Sequence, residues 1–306
     1  MPAEWDPHAA TWLAWPHFRG DWPGKFEPIP WVYAEIIRYL SRHERVELIV
    51  KDAVAEKIAR KTLKRAHALN DNVRFHRWPT NRVWTRDSGC AFVLCGAGAL
   101  ARDASAAKAH SSSHSLSARL EAVPFHGSAE RGGSTRERSS SQHGAPQRSG
   151  STREHPGSTP HSGDPKSSQL AAIKWRFNAW AKYPNWQHDE KIGSRMAKAV
   201  GVREVRPMFG KNRVVLEGGS IEVNGCGTLI TTEECLLSRV QQRNPGMKRG
   251  DYDKVFAEYL GATNVIWLDS GIVGDDTHGH VDDSTRFVSP DTVVIDVTMG
   301  IVSHDS

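Results

Sequence analysis

Three stretches of the 306-residue chain concentrate side chains able to move protons or hold a charged ligand. The first is Trp84-Thr85-Arg86-Asp87-Ser88-Gly89. The second is Leu216-Glu217-Gly218-Gly219-Ser220, whose glycine pair lets backbone approach closely. The third runs from Gly274 to Asp283 and packs Asp275, Asp276, His278, His280, Asp282 and Asp283 beside two glycines. Carboxylates and imidazoles next to glycines, in connections between strands, are where function tends to lie. Imidazole changes charge near neutral pH and serves as a proton donor or acceptor. Each stretch also has a structural account. Arg86-Asp87 is equally the pattern of a surface ion pair or turn cap, and Glu217 before Gly-Gly that of a capped turn. The third stretch is denser than a solvated acidic loop, and His280 stands out within it.

The elements that must position these groups follow from periodicity. Val32, Ile36, Ile37 and Leu40 predict a helix from Pro30 to Arg42. Val46–Val50 reads as a strand. Asp52 caps a second helix carrying Ala55, Ile58, Leu63 and Ala66. Strands are expected over 73–76 and 91–94, with the Trp84–Gly89 stretch as a loop between them. Further strands are expected at 173–177, 214–216 and 220–223. Asn224-Gly225 then makes a hairpin turn into Thr228–Ile230. Helices are expected over 188–199 and 251–260, and strands over 264–268, 286–288 and 292–297. Strands plus one helix recur several times, which predicts an α/β protein of internal repeats.

Composition bounds the rest. No apolar run approaches the roughly 18 residues a membrane helix needs. Met1-Pro2-Ala3-Glu4-Trp5-Asp6 has no basic region followed by an apolar one, so a signal peptide is not expected. Four cysteines are too few for a disulfide scaffold and lack metal-ligand spacing. The expectation is a soluble, cytoplasmic protein. The net charge of +5 is spread thinly and points to neither nucleic acid nor membrane. Residues 101–170 contain no Trp and no Tyr, although the chain has 11 Trp, and are rich in Ser, Gly, Pro and His. Such a segment cannot bury enough apolar surface to offset its ordering entropy. Residues 96–170 are therefore expected to be a disordered low-complexity insertion, and 1–95 with 171–306 one discontinuous domain.

Taken in order, the motifs resemble the agmatine deiminase / Porphyromonas-type peptidylarginine deiminase family of the guanidine-modifying superfamily. Met1–His8 with Thr11–Pro16 is similar to its N-terminal signature, and Trp84–Gly89 to W-x-R-D-x-G. Trp175–Trp180 is similar to its K/R-F-N-x-W segment. Glu217–Ser220, Thr231–Leu237 and Arg243-Asn244-Pro245 resemble further blocks, and Gly274–Asp282 resembles G-D-D-T-x-G-H-x-D. The resemblance covers about residues 1–95 and 171–290. It implies a pseudo-symmetric α/β propeller, five-bladed in the family, with the site on its axis. It implies hydrolysis of a guanidinium to a ureido group with ammonia release, without metal or organic cofactor. The implied substrate is agmatine, giving N-carbamoylputrescine for putrescine biosynthesis, or else a peptidyl-arginine side chain. Asp87 and Asp282 would clamp the guanidinium, His280 would be the acid/base group, Glu217 would hydrogen-bond it, and Trp84 would line the pocket. The family's nucleophile is a cysteine near the C-terminus in a Gly-Gly-x-x-His-Cys context, and no cysteine follows Cys235 here. Residues 296–306 no longer resemble the family. The expectation is an incomplete final repeat and a chain without turnover. Two alternatives stay open. One is a non-catalytic guanidinium-binding remnant. The other is a zinc hydrolase using His278, His280 and Asp282, since His-x-His-x-Asp resembles the opening of the metallo-β-lactamase signature; Asp283 stands where that signature closes with His. Oligomeric state is not legible.

Overall fold

The computed structural model describes residues 1–95 and 169–296. The first unit contains β1 (Ala10–Ala14), α1 (Ile29–Leu40), β2 (Arg45–Val50), α2 (Ala53–Arg65) and β3 (Val73–Arg77). The three strands are parallel, with β2 in the middle. Alternation along β2 sends its side chains to two faces. Val46, Leu48 and Val50 pack under the helices against Ala34, Ile37, Ala55, Ala59 and Leu63. Ile49 points the other way, toward Ala14, Val83, Ile192 and Met196. Asp52 starts α2 as expected, its Oδ1 accepting the Ala55 N–H at 2.7 Å.

The second unit begins with α3 (Thr85–Ser88), a single turn between β3 and β4 (Ala91–Cys95). β5 (Gln169–Ile173) pairs antiparallel with β4 and, across α4 (Ile192–Val200), parallel with β6 (Arg203–Val205). Gly201, with φ at 77°, ends α4 in the left-handed conformation. A short hairpin follows, β7 (Met208–Phe209) and β8 (Asn212–Arg213). The third unit holds β9 (Glu222–Val223), β10 (Thr228–Thr232), α5 (Glu233–Leu237), α6 (Arg249–Leu260) and β11 (Asn264–Leu268). β10 is central, antiparallel to β9 and parallel to β11. Tyr252, Val255, Phe256 and Leu260 of α6 close the largest core against Leu229, Cys235 and Leu236. β12 (Thr285–Ser289) and β13 (Thr292–Ile295) form a final hairpin. The repeated α/β organisation is thus present. No helix of the described residues is long and apolar enough to cross a membrane.

Several expected elements are corrected. The strand placed at 173–177 is β5, which lies four residues earlier. Ile173 ends the ladder, and buried Lys174 turns its Nζ to Glu190 at 3.0 Å. Beyond it Arg176 makes only an isolated bridge to Val215, so the stretch 214–216 is no full strand either. Thr85–Ser88 is a helical turn, not an open loop. Residues 218–220 form a 3₁₀ turn, leaving only Glu222–Val223 as strand. The segment read as an insertion lies outside the described residues except for Gln169 and Leu170, which pair in β5 with Cys95 and Leu94. Residues 297–306 also lie outside them.

Candidate active site

The three chemically rich stretches come from connections between units and meet at one place. Asp87 arrives on α3, Glu217 just before the Gly218–Ser220 turn, and His280 and Asp282 from the connection between β11 and β12. His280 sits at the centre, 2% exposed. Its Nδ1 lies 3.9 Å from Asp87 Oδ1 and 3.8 Å from Asp282 Oδ1. Its Nε2 lies 3.7 Å from Glu217 Oε2, an ion-pair contact too long for a hydrogen bond, and that nitrogen has no hydrogen-bond partner. The imidazole therefore separates a carboxylate pair on one side from a single carboxylate on the other.

Gly219 explains how they pack so tightly. A Cβ there would lie 2.3 Å from His280 Nδ1 and 2.9 Å from an oxygen of both Asp87 and Asp282. Only glycine fits, and its N–H donates to Asp87 Oδ1 at 3.0 Å. The other Asp87 oxygen accepts the Trp180 indole N–H at 3.1 Å. Trp180 is delivered by three consecutive non-glycine residues in the left-handed region, Ala179, Trp180 and Ala181, with φ of 52°, 58° and 53°. That conformation costs an L-residue about 1–2 kcal/mol each, and such outliers persist where surrounding structure holds them. Asn178 closes the turn by accepting the Ala181 N–H at 3.0 Å.

Each charge has a holder. Arg86, adjacent to Asp87, donates from Nε to Asp282 Oδ2 at 2.7 Å and also pairs with Glu4 and Glu222. Arg243 Nε lies 3.3 Å from both Glu217 oxygens, and both side chains are wholly buried. Asp275 shapes the loop: its Oδ2 accepts the N–H groups of Gly279 and His280 at 2.9 and 3.0 Å. Asp276 instead pairs outward with Lys182 and with the Tyr183 hydroxyl at 2.6 Å.

The electrostatics follow. Burial works against a charged imidazole, yet Asp87, Glu217 and Asp282 outweigh it and carry His280 up to about 9. Burial pushes Asp282 up to about 6, against the pull of Arg86 and in concert with the Asp87 charge. Burial would also raise Glu217, but Arg243 and His280 hold it below the usual carboxylate range. At neutral pH the cluster thus presents a protonated His280 beside two carboxylates.

Asp87, Glu217, His280 and Asp282 are brought together as the motifs suggested. Trp84 is near but differently placed: it is 41% exposed and packs on Trp22 at a ring separation of 5.7 Å. His278 does not join them. With φ at 65° it turns to the Ser238 hydroxyl at 3.2 Å and to Glu234 at 3.7 Å, so His278, His280 and Asp282 do not converge as a zinc triad. Trp180, Gly219, Arg86 and Arg243 were not singled out for their contacts. Their motifs were visible, but their partners lie tens of residues away in sequence.

The four thiols have different surroundings. Cys90 lies beside the Ile192–Met196 cluster, and burial pushes its thiol up to about 12. Cys226 is exposed in the β9–β10 hairpin and Cys95 ends β4. Cys235, fully buried in the middle of α5, has its sulfur within 4.8 Å of a Glu217 oxygen and a His280 nitrogen. Burial raises that thiol too, against the pull of Arg243.

Comparison with known proteins gives one consistent result. A family model, Porphyromonas-type peptidyl-arginine deiminase, matches residues 1–116 and 152–305. The chain is 28% identical over 300 residues to an agmatine deiminase of Ectopseudomonas mendocina, covering 96% of this chain and 59% of that protein. It is 30% identical over 304 residues to an agmatine deiminase of Medicago truncatula, covering 97% and 61%. Among solved structures, agmatine deiminase of Enterococcus faecalis superposes with a TM-score of 0.66 at 22% identity, covering 98% of this chain and 60% of that one. A substrate-bound agmatine deiminase variant of C. jejuni superposes with a TM-score of 0.61 at 22% identity, covering 96% and 62%. The chain spans about 60% of the length of the relatives it matches.

Proposed function

We infer function from one premise: the chain belongs to the Porphyromonas-type peptidyl-arginine deiminase family. We propose that the His280 cluster is the guanidinium site of an agmatine deiminase-type amidinohydrolase, on an axis of propeller-like pseudo-symmetry, in a cytoplasmic protein. The reaction is hydrolysis of a guanidinium to a ureido group with release of ammonia, agmatine giving N-carbamoylputrescine. The observation that carries this is the placement of Asp87 and Asp282 on the same side of a cationic His280, 3.9 and 3.8 Å from Nδ1. A planar guanidinium matches two carboxylates through charge-assisted hydrogen bonds. Trp180 and Gly219 aim Asp87, and Arg86 aims Asp282. His280 is charged over the whole neutral range, so it can protonate the departing amine. Glu217, held ionised by Arg243, keeps it so. Trp84, three residues before Asp87 and half-exposed, would cover the substrate's aliphatic arm.

The attacking group in such chemistry is a thiolate. The surroundings of Cys90 and Cys235 disfavour one, because burial raises both thiols. We therefore propose that these residues bind and polarise the substrate, while turnover needs a cysteine from the remainder of a family-length protein. Peptidyl-arginine is the second substrate reading, since the same carboxylate pair would accept it. A non-catalytic guanidinium-binding role is the alternative for the chain alone, favoured by the same thiol environments.

The test is agmatine calorimetry together with ammonia release, on this chain and on a version carrying the family's cysteine-containing final repeat. Binding by both, and ammonia from the extended version alone, is expected. Ammonia from the 306-residue chain would overturn the assignment of the thiols and make Cys90 and Cys235 the first residues to mutate. Absence of agmatine and arginyl-peptide binding in both would sink the guanidinium site itself.

A further inference from the structure

The mechanism above leaves Cys235 unused, although it is among the most deeply placed polar groups of the site. Its sulfur, a Glu217 oxygen and a His280 nitrogen lie within 4.8 Å of one another, the one such group of three among the described residues. All three side chains are buried. Nε2 of His280, the nitrogen facing Glu217, has no hydrogen-bond partner. Buried imidazole nitrogens are ordinarily paired, and an unpaired one calls for an explanation.

We propose that Glu217, Cys235 and His280 form a binding site for a zinc-class divalent cation, and that its occupation excludes the guanidinium ligand. The donor set is one thiolate, one imidazole and one carboxylate, the mixture that borderline-soft zinc prefers. Zinc bound at 2.0–2.3 Å holds tetrahedral ligand atoms roughly 3.3–3.8 Å apart. Glu217 and His280 already stand at 3.7 Å, and the sulfur needs to close by no more than about 1 Å to reach that spacing. Thr232 sets the sulfur's approach, since its hydroxyl oxygen accepts the Cys235 N–H at 3.0 Å and donates to the Gly279 carbonyl at 2.5 Å. The start of α5 is thereby tied to the residue before His280.

The carboxylates Glu217, Asp87 and Asp282 offset the charge of a dication beside buried Arg243. Glu217 is shared with Arg243, and a carboxylate has enough lone-pair positions for both. The cation supplies the charge that burial denies a bare thiolate. With Nε2 on the metal, Nδ1 keeps its proton and faces Asp87 and Asp282 at 3.9 and 3.8 Å. Binding displaces the Cys235 thiol proton and the Nε2 proton to solvent, and no redox step is involved. This site differs from a His278–His280–Asp282 centre in two of three ligands. Cation binding is independent of the deiminase reading; the exclusion of a guanidinium ligand rests on it. A metal on Nε2 places positive charge directly behind the guanidinium, on the far side of the imidazole from Asp87 and Asp282.

Cobalt(II) is the probe, because only thiolate ligation gives a sulfur-to-cobalt charge-transfer absorption. Histidines elsewhere in the chain cannot mimic that band. The full chain should show it at one equivalent. Zinc should displace it, and Cys226→Ser should retain it. Cys235→Ala and Cys235→Ser should lose the band and bind zinc about a hundredfold more weakly or worse, above the loss typical of an outer-shell ligand partner. A thermal transition followed by circular dichroism establishes that these variants are folded. Stoichiometric zinc should abolish agmatine binding in the parent and leave it intact in Cys235→Ala. A band that survives Cys235→Ala, or no band in the parent, overturns the metal site. If the band behaves as expected but agmatine never binds, the metal site stands and the guanidinium reading fails.

Discussion

The parallel sheet of the first unit and the His280 cluster are built by opposite means. In the sheet, Val46, Leu48 and Val50 meet Ala34, Ile37, Ala59 and Leu63, and no charge is needed to hold them. Its energy is apolar area removed from water, non-directional and spread over many contacts. In the cluster, Glu217, Arg243, His280, Asp87 and Asp282 are held by individual distances, and a single added methyl at Gly219 would collide with three of their polar atoms. Tolerance to substitution differs accordingly. Damage to the sheet lowers stability in proportion to volume lost. Damage to the cluster removes a function outright and leaves a partner charge stranded.

The largest expected effect comes from stranding such a charge. Glu217→Ala leaves Arg243 wholly buried without its carboxylate, and breaking a buried pair from one side costs about 3–5 kcal/mol. Chemical denaturation should show that loss, and agmatine binding should vanish with it. Leu48→Ala is the counterpart in the sheet. Leu48 is fully buried, so the loss should be about 2–5 kcal/mol. Agmatine affinity measured on the folded fraction should not change. Equal loss of binding in Leu48→Ala would mean that sheet and cluster are one energetic unit, and the contrast drawn above would fail.

Trp180→Phe sharpens the contrast within the cluster. It keeps most of the packing against Phe177 and Tyr183 but deletes the N–H that Asp87 Oδ2 accepts. Hydrogen bonds to charged groups contribute about 1.5–3 kcal/mol, so guanidinium affinity should fall by about ten- to a hundredfold with little change in melting temperature. A variant that melts early yet binds normally would assign Trp180 to the core alone.

The cluster should also answer to pH, whereas the face of the sheet formed by Val46, Leu48 and Val50 holds no titrating side chain. Asp282 must be ionised to hold a cation, and its pKa of about 6 means binding weakens as pH falls through 6. His280 is raised above its unfolded value, so its contribution to stability is fully present below about 6.5 and is lost as pH rises through about 9. Calorimetry across this range should give affinity that climbs between pH 5 and 7. A flat profile would place the guanidinium elsewhere.

The same contrast explains what the sequence disclosed. The first unit was legible because its signals are local: the apolar run marks α1, although Ala34 and Ile37 form its buried face while Val32 and Ile36 are exposed, and Asp52 marks the start of α2. Ile173–Phe177 misled because its alternation imitates a strand, whereas Lys174 leaves the ladder to meet Glu190, a partner 16 residues away. In the cluster the residue types were visible as motifs, since carboxylates and imidazoles beside glycine pairs are unusual. Their geometry was not. Nothing local reveals that Gly219 supports both Asp87 and His280, that Trp180 reaches Asp87 through a left-handed turn, or that His278 rotates away from its neighbour two residues on. Those facts depend on contacts that close only when all three units have assembled.

The smallest expected effect isolates local from tertiary energy. Asp52 caps α2 through one hydrogen bond of 2.7 Å to the Ala55 N–H. Its replacement by alanine leaves that N–H to water and should cost about 1 kcal/mol. Helix α2 covers the face of the first sheet formed by Val46, Leu48 and Val50, whereas Ile49, on the opposite face, is the β2 residue that packs toward Val83 and α4. The lost cap should therefore lower the melting temperature slightly and leave both the pH profile and the agmatine affinity unchanged. If Asp52→Ala also shifts the pH midpoint of binding, strain is being passed through β2 to the cluster, and the two regions are coupled at a level their separate cores do not suggest.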